Sequence, residues 1–245
     1  MDQKVGIGFG ILNKFNSCFD KETGWFLLEN DPWVIYFRLF NHKNLPRPSH
    51  CHQDFGSPVI FHKNREIIID PGRSSYLIGS NIESLASNHS IFLINSKPTA
   101  PSERDIPIFI EPIKSFKYKI FTSGEKIFLF IRFPLSMTNQ SRVKYAIRLL
   151  IIKNKSIEII DRIALLKESF IKTRFNFPNQ LNPFLRKFNF RVDDQNSQKI
   201  IINDDSEYLD IGERALEYNN IENYKTFNLS IKSKKFFGSN LYISE

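Results

Sequence analysis

The chain has 245 residues, 41% hydrophobic and 14% aromatic, with 24 phenylalanines and a net charge of +8. This apolar content excludes a disordered chain, and the length suits one large β domain or two small ones. The positive balance favours an anionic partner, whether nucleic acid, acidic lipid or acidic polysaccharide, which sign alone does not separate; the basic residues are spread out and form no nucleic-acid-binding motif, so no nucleic acid is expected.

The N-terminal stretch MDQKVGIGFGILNKFNSCFD has an acidic residue at position 2, and Asn13, Lys14 and Asn16 break its apolar run, which is poor for a signal peptide. No run of about 18 apolar residues occurs, so no membrane span is expected. The reading is a soluble, unexported chain, cytoplasmic by default. Cys18 and Cys51 are the two cysteines, and their spacing implies no disulfide framework.

From position 24 onward the chain is a series of short runs rich in Ile, Phe, Val and Tyr, each bounded by Gly, Pro, Asn, Asp or Ser. They include GWFLLE (24–29), WVIYFRLF (33–40), PVIFH (58–62), EIIID (66–70), SIFLIN (90–95), KIFLFIRF (126–133), YAIRLLIIK (145–153) and SIEIIDRIAL (156–165). Such runs read as strands. Turn-like residues at 29–32, 63–64, 123–125 and 154–155 join them as hairpins. The best helical stretch, DIGERALEYNNI at 210–221, is short. The expected fold is all-β: a large, antiparallel, hairpin-rich, two-sheet sandwich of supersandwich type. Residues 1–23 read as a lead-in and 24–245 as one domain, with 95–107 connecting sheets.

The chemistry concentrates in SHCHQD (49–54). On an extended strand His50 and His52 face the same way and Cys51 the other, so two imidazoles are presented together. A metal site needs a third ligand, for which Asp70, closing REIIID and opening Asp-Pro-Gly, and His89, opening HSIFLIN, are candidates. Asp70 is equally a turn initiator and His89 a polar strand edge. A two-residue turn at Lys63-Asn64 pairs His62 with Arg65 and so Ser57 with Asp70, leaving His52 roughly 16 Å short of Asp70 along a straight strand. The strand must therefore bend near Gly56 and Pro58.

The run HCHQDFGSPVIFHKNREIIIDPGRSSYL resembles the start of the C-terminal β-sandwich of the heparinase II/III-like polysaccharide lyases, with its His-x-His, hairpin and Asp-Pro-Gly pattern. Asn88-His89-Ser90, ETGWFLLENDPWVIYFRL, IEIIDRI and TRFNFP are similar to further segments of that domain. The resemblance implies a periplasmic or cell-envelope enzyme that breaks uronic acid-containing polysaccharide by β-elimination. It implies that His50 is the cleft histidine, and that His52, Asp70 and His89 hold a divalent metal, zinc. The family's α/α toroid does not fit ahead of Gly24, so a separate toroid domain or subunit is the expected partner, and the chain alone is expected to be inactive. Asp54 receives no role.

Two other readings compete. One is a non-catalytic carbohydrate-binding or structural sandwich. The other is a jelly-roll metalloenzyme, with His52, Asp54 and His89 as an iron triad or with a cupin-like His50 and His52. The cupin pattern wants a glutamate where Gly56 stands.

Overall fold

A computed structural model describes residues 15–20, 24–39, 54–72, 86–98, 117–135, 137–180, 187–193, 198–201, 209–217 and 220–245. Five strands come first: β1 (Asn16–Phe19), β2 (Trp25–Asn30), β3 (Trp33–Arg38), β4 (Pro58–His62) and β5 (Arg65–Ile68). They pair in sequence order as a five-stranded meander, so strand pairing already begins ahead of residue 24. A 3-10 turn (Ala86–Asn88) then leads into β6 (Phe92–Ile94) and β7 (Lys97–Pro98). Next come β8 (Lys117–Ser123), β9 (Lys126–Arg132), a single helical turn α1 (Met137–Gln140), β10 (Val143–Lys153), β11 (Ser156–Leu165) and β12 (Ser169–Pro178). The last five are β13 (Lys187–Asp193), β14 (Gln198–Ile201), β15 (Leu209–Glu217), β16 (Asn220–Ser233) and β17 (Phe236–Ser244).

The antiparallel sandwich expected from the sequence is present, with its strands divided among three sheets. A seven-stranded sheet has the order β14-β13-β17-β11-β10-β9-β8, and a second five-stranded sheet the order β15-β16-β12-β6-β7. The two smaller sheets share one layer. Phe26 of the first sheet meets Tyr118 of the large sheet at 5.4 Å, and Phe92 of the last sheet meets Phe133 just beyond β9 at 4.9 Å. Side by side, the small sheets are joined where Ile69, following β5, donates its N–H to the Asn176 carbonyl of β12 at 3.0 Å. One continuous apolar core includes residues from all three sheets.

Local chemistry explains the hairpins. Lys63 and Asn64 both take positive φ, 51° and 59°, the geometry of a two-residue turn whose twist matches the strands, and His62 pairs with Arg65 as expected. Gly124 (φ 57°) turns β8 into β9, and Asn154-Lys155 turns β10 into β11 so that Lys153 faces Ser156. Between β2 and β3 the turn carries a cis Asp31-Pro32 peptide. The short stretch with helical character is instead β15, antiparallel to β16, because sheet pairing overrides a weak local propensity.

The far end of the first sheet is clamped to the large one. Trp33 is fully buried and its indole N–H donates to the carbonyls of Lys153 and Asn154 at 2.9 and 3.0 Å, capping the β10–β11 turn. The His62 ring lies 4.4 Å from that indole, and its Nε2 sits 3.0 Å from Glu245 Oε1, which also takes the Lys63 ammonium at 2.6 Å. Burial lowers the His62 pKa, and the positive charge of Lys63 adds to this against the opposing pull of Glu245 and Asp31. A histidine kept neutral by folding makes the fold lose stability as pH falls, because the unfolded chain takes up the proton first, near about 6.5. Wild-type protein should therefore lose urea resistance relative to His62→Phe as pH is lowered from about 7 toward 5. Parallel curves over that interval would remove His62 as the cause.

Candidate functional site

Asp70 and His89, 19 positions apart in sequence, come together: His89 Nδ1 lies 2.7 Å from Asp70 Oδ2. An ionised carboxylate only accepts, so Nδ1 carries the proton and donates. The ring is fully buried while Asp70 remains about 29% exposed, so the pair opens to the surface through the carboxylate. Asp70 Oδ1 meanwhile accepts the Gly72 N–H at 3.0 Å, and Gly72 takes φ 66°. The Asp-Pro-Gly turn and the contact with His89 thus use the two oxygens of one side chain.

Burial by itself would lower the His89 pKa. The charge of Asp70, its hydrogen bond and the further charge of Asp54 outweigh burial and the opposing Arg174, and the net shift is upward. The carboxylate of Asp70 thus favours the protonated ring despite its burial.

The expected bend before β4 is found, and a second irregularity accompanies it. Ser57 N–H bonds the Asp54 carbonyl at 2.8 Å with Gly56 at φ 77°, a tight turn that glycine permits at this position. Within the hairpin, Phe61 faces Glu66 but Ile60 faces Ile68, so Ile67 is an extra residue in β5 and the straight register that set Ser57 opposite Asp70 does not apply. Both Ile67 and Ile68 are buried as a result. Asp54, which the sequence left without a role, sits 3.4 Å from Arg38 Nη1, whose guanidinium also lies over the Phe55 ring at 5.0 Å. His50, Cys51 and His52 lie outside the described residues.

Two sets of interactions hold His89 in place. The first comes from β12 and β16. Asn176 donates its side-chain amide to the Asn88 carbonyl at 2.7 Å and its backbone N–H to Ser90 Oγ at 3.0 Å, while its Oδ1 accepts from Arg174 Nε and Thr226 Oγ1. Arg174 also donates to the Ser87 carbonyl and to the Tyr224 hydroxyl, at 2.8 and 2.7 Å. The second comes from the core. Arg148, fully buried, forms a bidentate pair with the equally buried Asp161, Nε to Oδ1 at 2.7 Å and Nη2 to Oδ2 at 2.9 Å. Its Nη1 donates to the carbonyls of Gly56 and Ser90 at 2.9 and 2.8 Å. Ser90 N–H in turn donates to Ser57 Oγ at 3.0 Å.

None of Arg148, Arg174, Asn176 and Tyr224 was singled out from the sequence, although TRFNFP holds two of them. For Arg148 there was a signal. Positions 146, 148, 150 and 152 alternate onto one face, as do 157, 159, 161 and 163, and each face is apolar except for one charge. The turn at 154–155 sets those two charges directly opposite each other.

As a test of fit to a metal, the Asp70–His89 pair supplies a carboxylate and an imidazole, donor types that zinc accepts. Tetrahedral zinc holds two such donors roughly 3.3 Å apart, so the 2.7 Å hydrogen bond must open and lose its proton before both of these atoms bind one ion. Among the described residues no third His, Cys, Asp or Glu joins them. No helix among these residues is long and apolar enough to cross a membrane.

Fold and site define an all-β sandwich with a buried imidazole paired to a partly exposed carboxylate where its two small sheets meet. Residues 18–88 match the family described as Heparinase II/III-like, C-terminal. In fold the chain is similar to a heparan sulfate lyase HepC mutant from Pedobacter heparinus, with TM-score 0.64 and 16% identity, covering 94% of this chain and 36% of that one. A heparinase III gene product gives TM-score 0.64 at 12% identity over 93% of this chain and 36% of its own. Another heparinase III structure gives 0.61 at 13% over 97% and 37%. Comparison with curated protein sequences finds no match. The matched segment covers the first sheet and the approach to His89, the shared fold covers nearly the whole chain, and the chain spans little more than a third of these solved chains.

Removing the Asn176 amide tests how the His89 segment is held. Asn176→Ala should cost about 1–3 kcal/mol in urea unfolding, since the Asn88 carbonyl and Arg174 lose a buried partner. Thr226→Val, which removes one donor only, should cost less.

Proposed function

We propose that this chain is the sandwich portion of a lyase that cleaves uronic acid-containing polysaccharide by β-elimination, with His52, Asp70 and His89 holding a zinc ion and His50 facing the cleft. The other wall of that cleft is an α/α toroid, carried on a further domain or a separate subunit. The observation that carries this reading is the part-buried His89–Asp70 contact, made by two residues that the family resemblance selects as ligands.

The chemistry divides between the two parts. In β-elimination a base removes the proton at C5, the C4–O bond breaks with its electron pair leaving on the oxygen, and a C4–C5 double bond remains. The C5 proton becomes acidic enough only when the uronate charge is neutralised, and His50 as an imidazolium would contribute that charge. Asp70 orients His89 through this contact, and for both to hold the ion the Nδ1 proton would be released on binding. When bound, the metal supplies positive charge that balances Asp70 and Asp54. Asp54, engaged with Arg38, is better placed as a support of the turn than as an iron ligand, which favours this reading over the jelly-roll metalloenzyme.

Purified chain should contain one zinc per molecule by elemental analysis. His89→Ala and Asp70→Ala should both lose it, and a chelator should lower the unfolding temperature of wild type only. At free zinc 100-fold above Kd the expected stabilisation is about 2.7 kcal/mol. A metal-free wild type that is equally stable in chelator would sink the metal assignment. Incubation of the chain alone with uronic acid polysaccharides should release no unsaturated product; release would overturn the need for a toroid.

A further inference from the structure

We propose that Arg148 is a positioning residue: held by Asp161 in the core, it sets the distance between the turn at Gly56 and the segment carrying His89, and thereby sets the affinity of the site. This rests on the metal reading above only for its last clause.

The argument starts from what a guanidinium can reach. Its planar fork has five N–H donors in fixed directions. One edge, Nε–H with an Nη2–H, is taken by Asp161, which locks the plane of the group. The remaining nitrogen, Nη1, then points its two hydrogens at two carbonyls from different parts of the chain, Gly56 before β4 and Ser90 before β6. Those residues flank the described pair, Ser90 following His89 directly and Gly56 lying in the turn closed by Asp54, whose charge acts on His89. Neither segment is in a strand at these positions, and their backbone bonds run to different strands: Gly56 N–H to the Arg38 carbonyl of β3, and Arg174 N–H of β12 to the Ile91 carbonyl, each at 3.0 Å. A side-chain bond from Ser90 N–H to Ser57 Oγ is the other direct link described between them. The Phe92 and Phe175 rings lie against the guanidinium at 5.7 and 5.5 Å, which prevents it from swinging away.

A purely structural role predicts a different outcome from a positioning role, because an apolar pair of similar volume often replaces a buried ion pair with little loss of stability. The variant is Arg148→Met with Asp161→Leu, measured beside wild type by thermal unfolding, by amide hydrogen exchange at Ser57, Ser90 and Ile91, and by titration with zinc alone. Positioning predicts an unfolding midpoint within a few degrees of wild type, at least tenfold faster exchange at those amides, and at least tenfold weaker zinc binding. A folded variant with unchanged exchange overturns the proposal. If exchange accelerates but wild type binds no zinc, the metal reading fails and the positioning role stands. Should the double variant not fold, Arg148→Lys serves: it keeps the charge for Asp161 but lacks the fork, so it should keep the fold and still accelerate exchange at Ser90. Unchanged exchange there overturns the proposal equally.

Discussion

Arg148 and Asp161 face each other across the β10–β11 hairpin inside the core, and neither is exposed. Taking two charges out of water costs several kcal/mol per ion even after relaxation, so such a pair persists only when its remaining donors and acceptors are satisfied. Here four hydrogen bonds occupy four of the five N–H donors of Arg148. What the pair contributes is specificity of register more than net stability. A slip of one residue in β10 would turn Arg148 to the outside and leave Asp161 buried opposite an apolar side chain. The same pair lies where the two small sheets meet the large one, so the register of the hairpin and the placement of the opposing layer are set together.

That junction has an unusual accounting problem. Where the second layer is split, strands end inside the protein, and their backbone groups lack the partners that a continuous sheet would give. Side chains take over. Arg148 serves the Gly56 and Ser90 carbonyls, Asn176 the Asn88 carbonyl, and Ser57 and Ser90 the N–H groups of Ser90 and Asn176. Polar residues buried here are therefore a consequence of the architecture. The same residues surround His89, so the place where the fold needs polar side chains is also where a polar site can be built without further desolvation.

Hairpins were legible because their information is local: a turn dipeptide fixes a register, and alternation fixes which face is buried. Lys63-Asn64 and Asn154-Lys155 behave this way. The division of the second layer into two sheets was not legible, since it depends on β12 pairing with both β16 and β6, contacts distant in sequence. Nor was the extra residue at Ile67, which a run of three isoleucines conceals: any of them suits a buried position, so the pattern does not mark where the bulge falls. Of the site, the approach of His89 to Asp70 was anticipated through resemblance, while the side chains that hold it were missed because Asn176 and Tyr224 act through tertiary contacts that no spacing announces.

Asp70 shows why the two readings of one residue need not compete. As a turn initiator it needs one oxygen to accept the Gly72 N–H, and as a site residue it needs the other to face His89. A carboxylate has both, arranged in a plane with fixed separation, so the turn orients the functional oxygen without a separate support. Asparagine would keep the turn through its carbonyl oxygen but present an NH2 group, a donor, to the Nδ1–H of His89. Glutamate would keep the charge but place it one methylene too far to close the turn. The demands of turn and site together leave aspartate as the residue that meets both, which is why a motif that looks like simple turn chemistry carries site information as well.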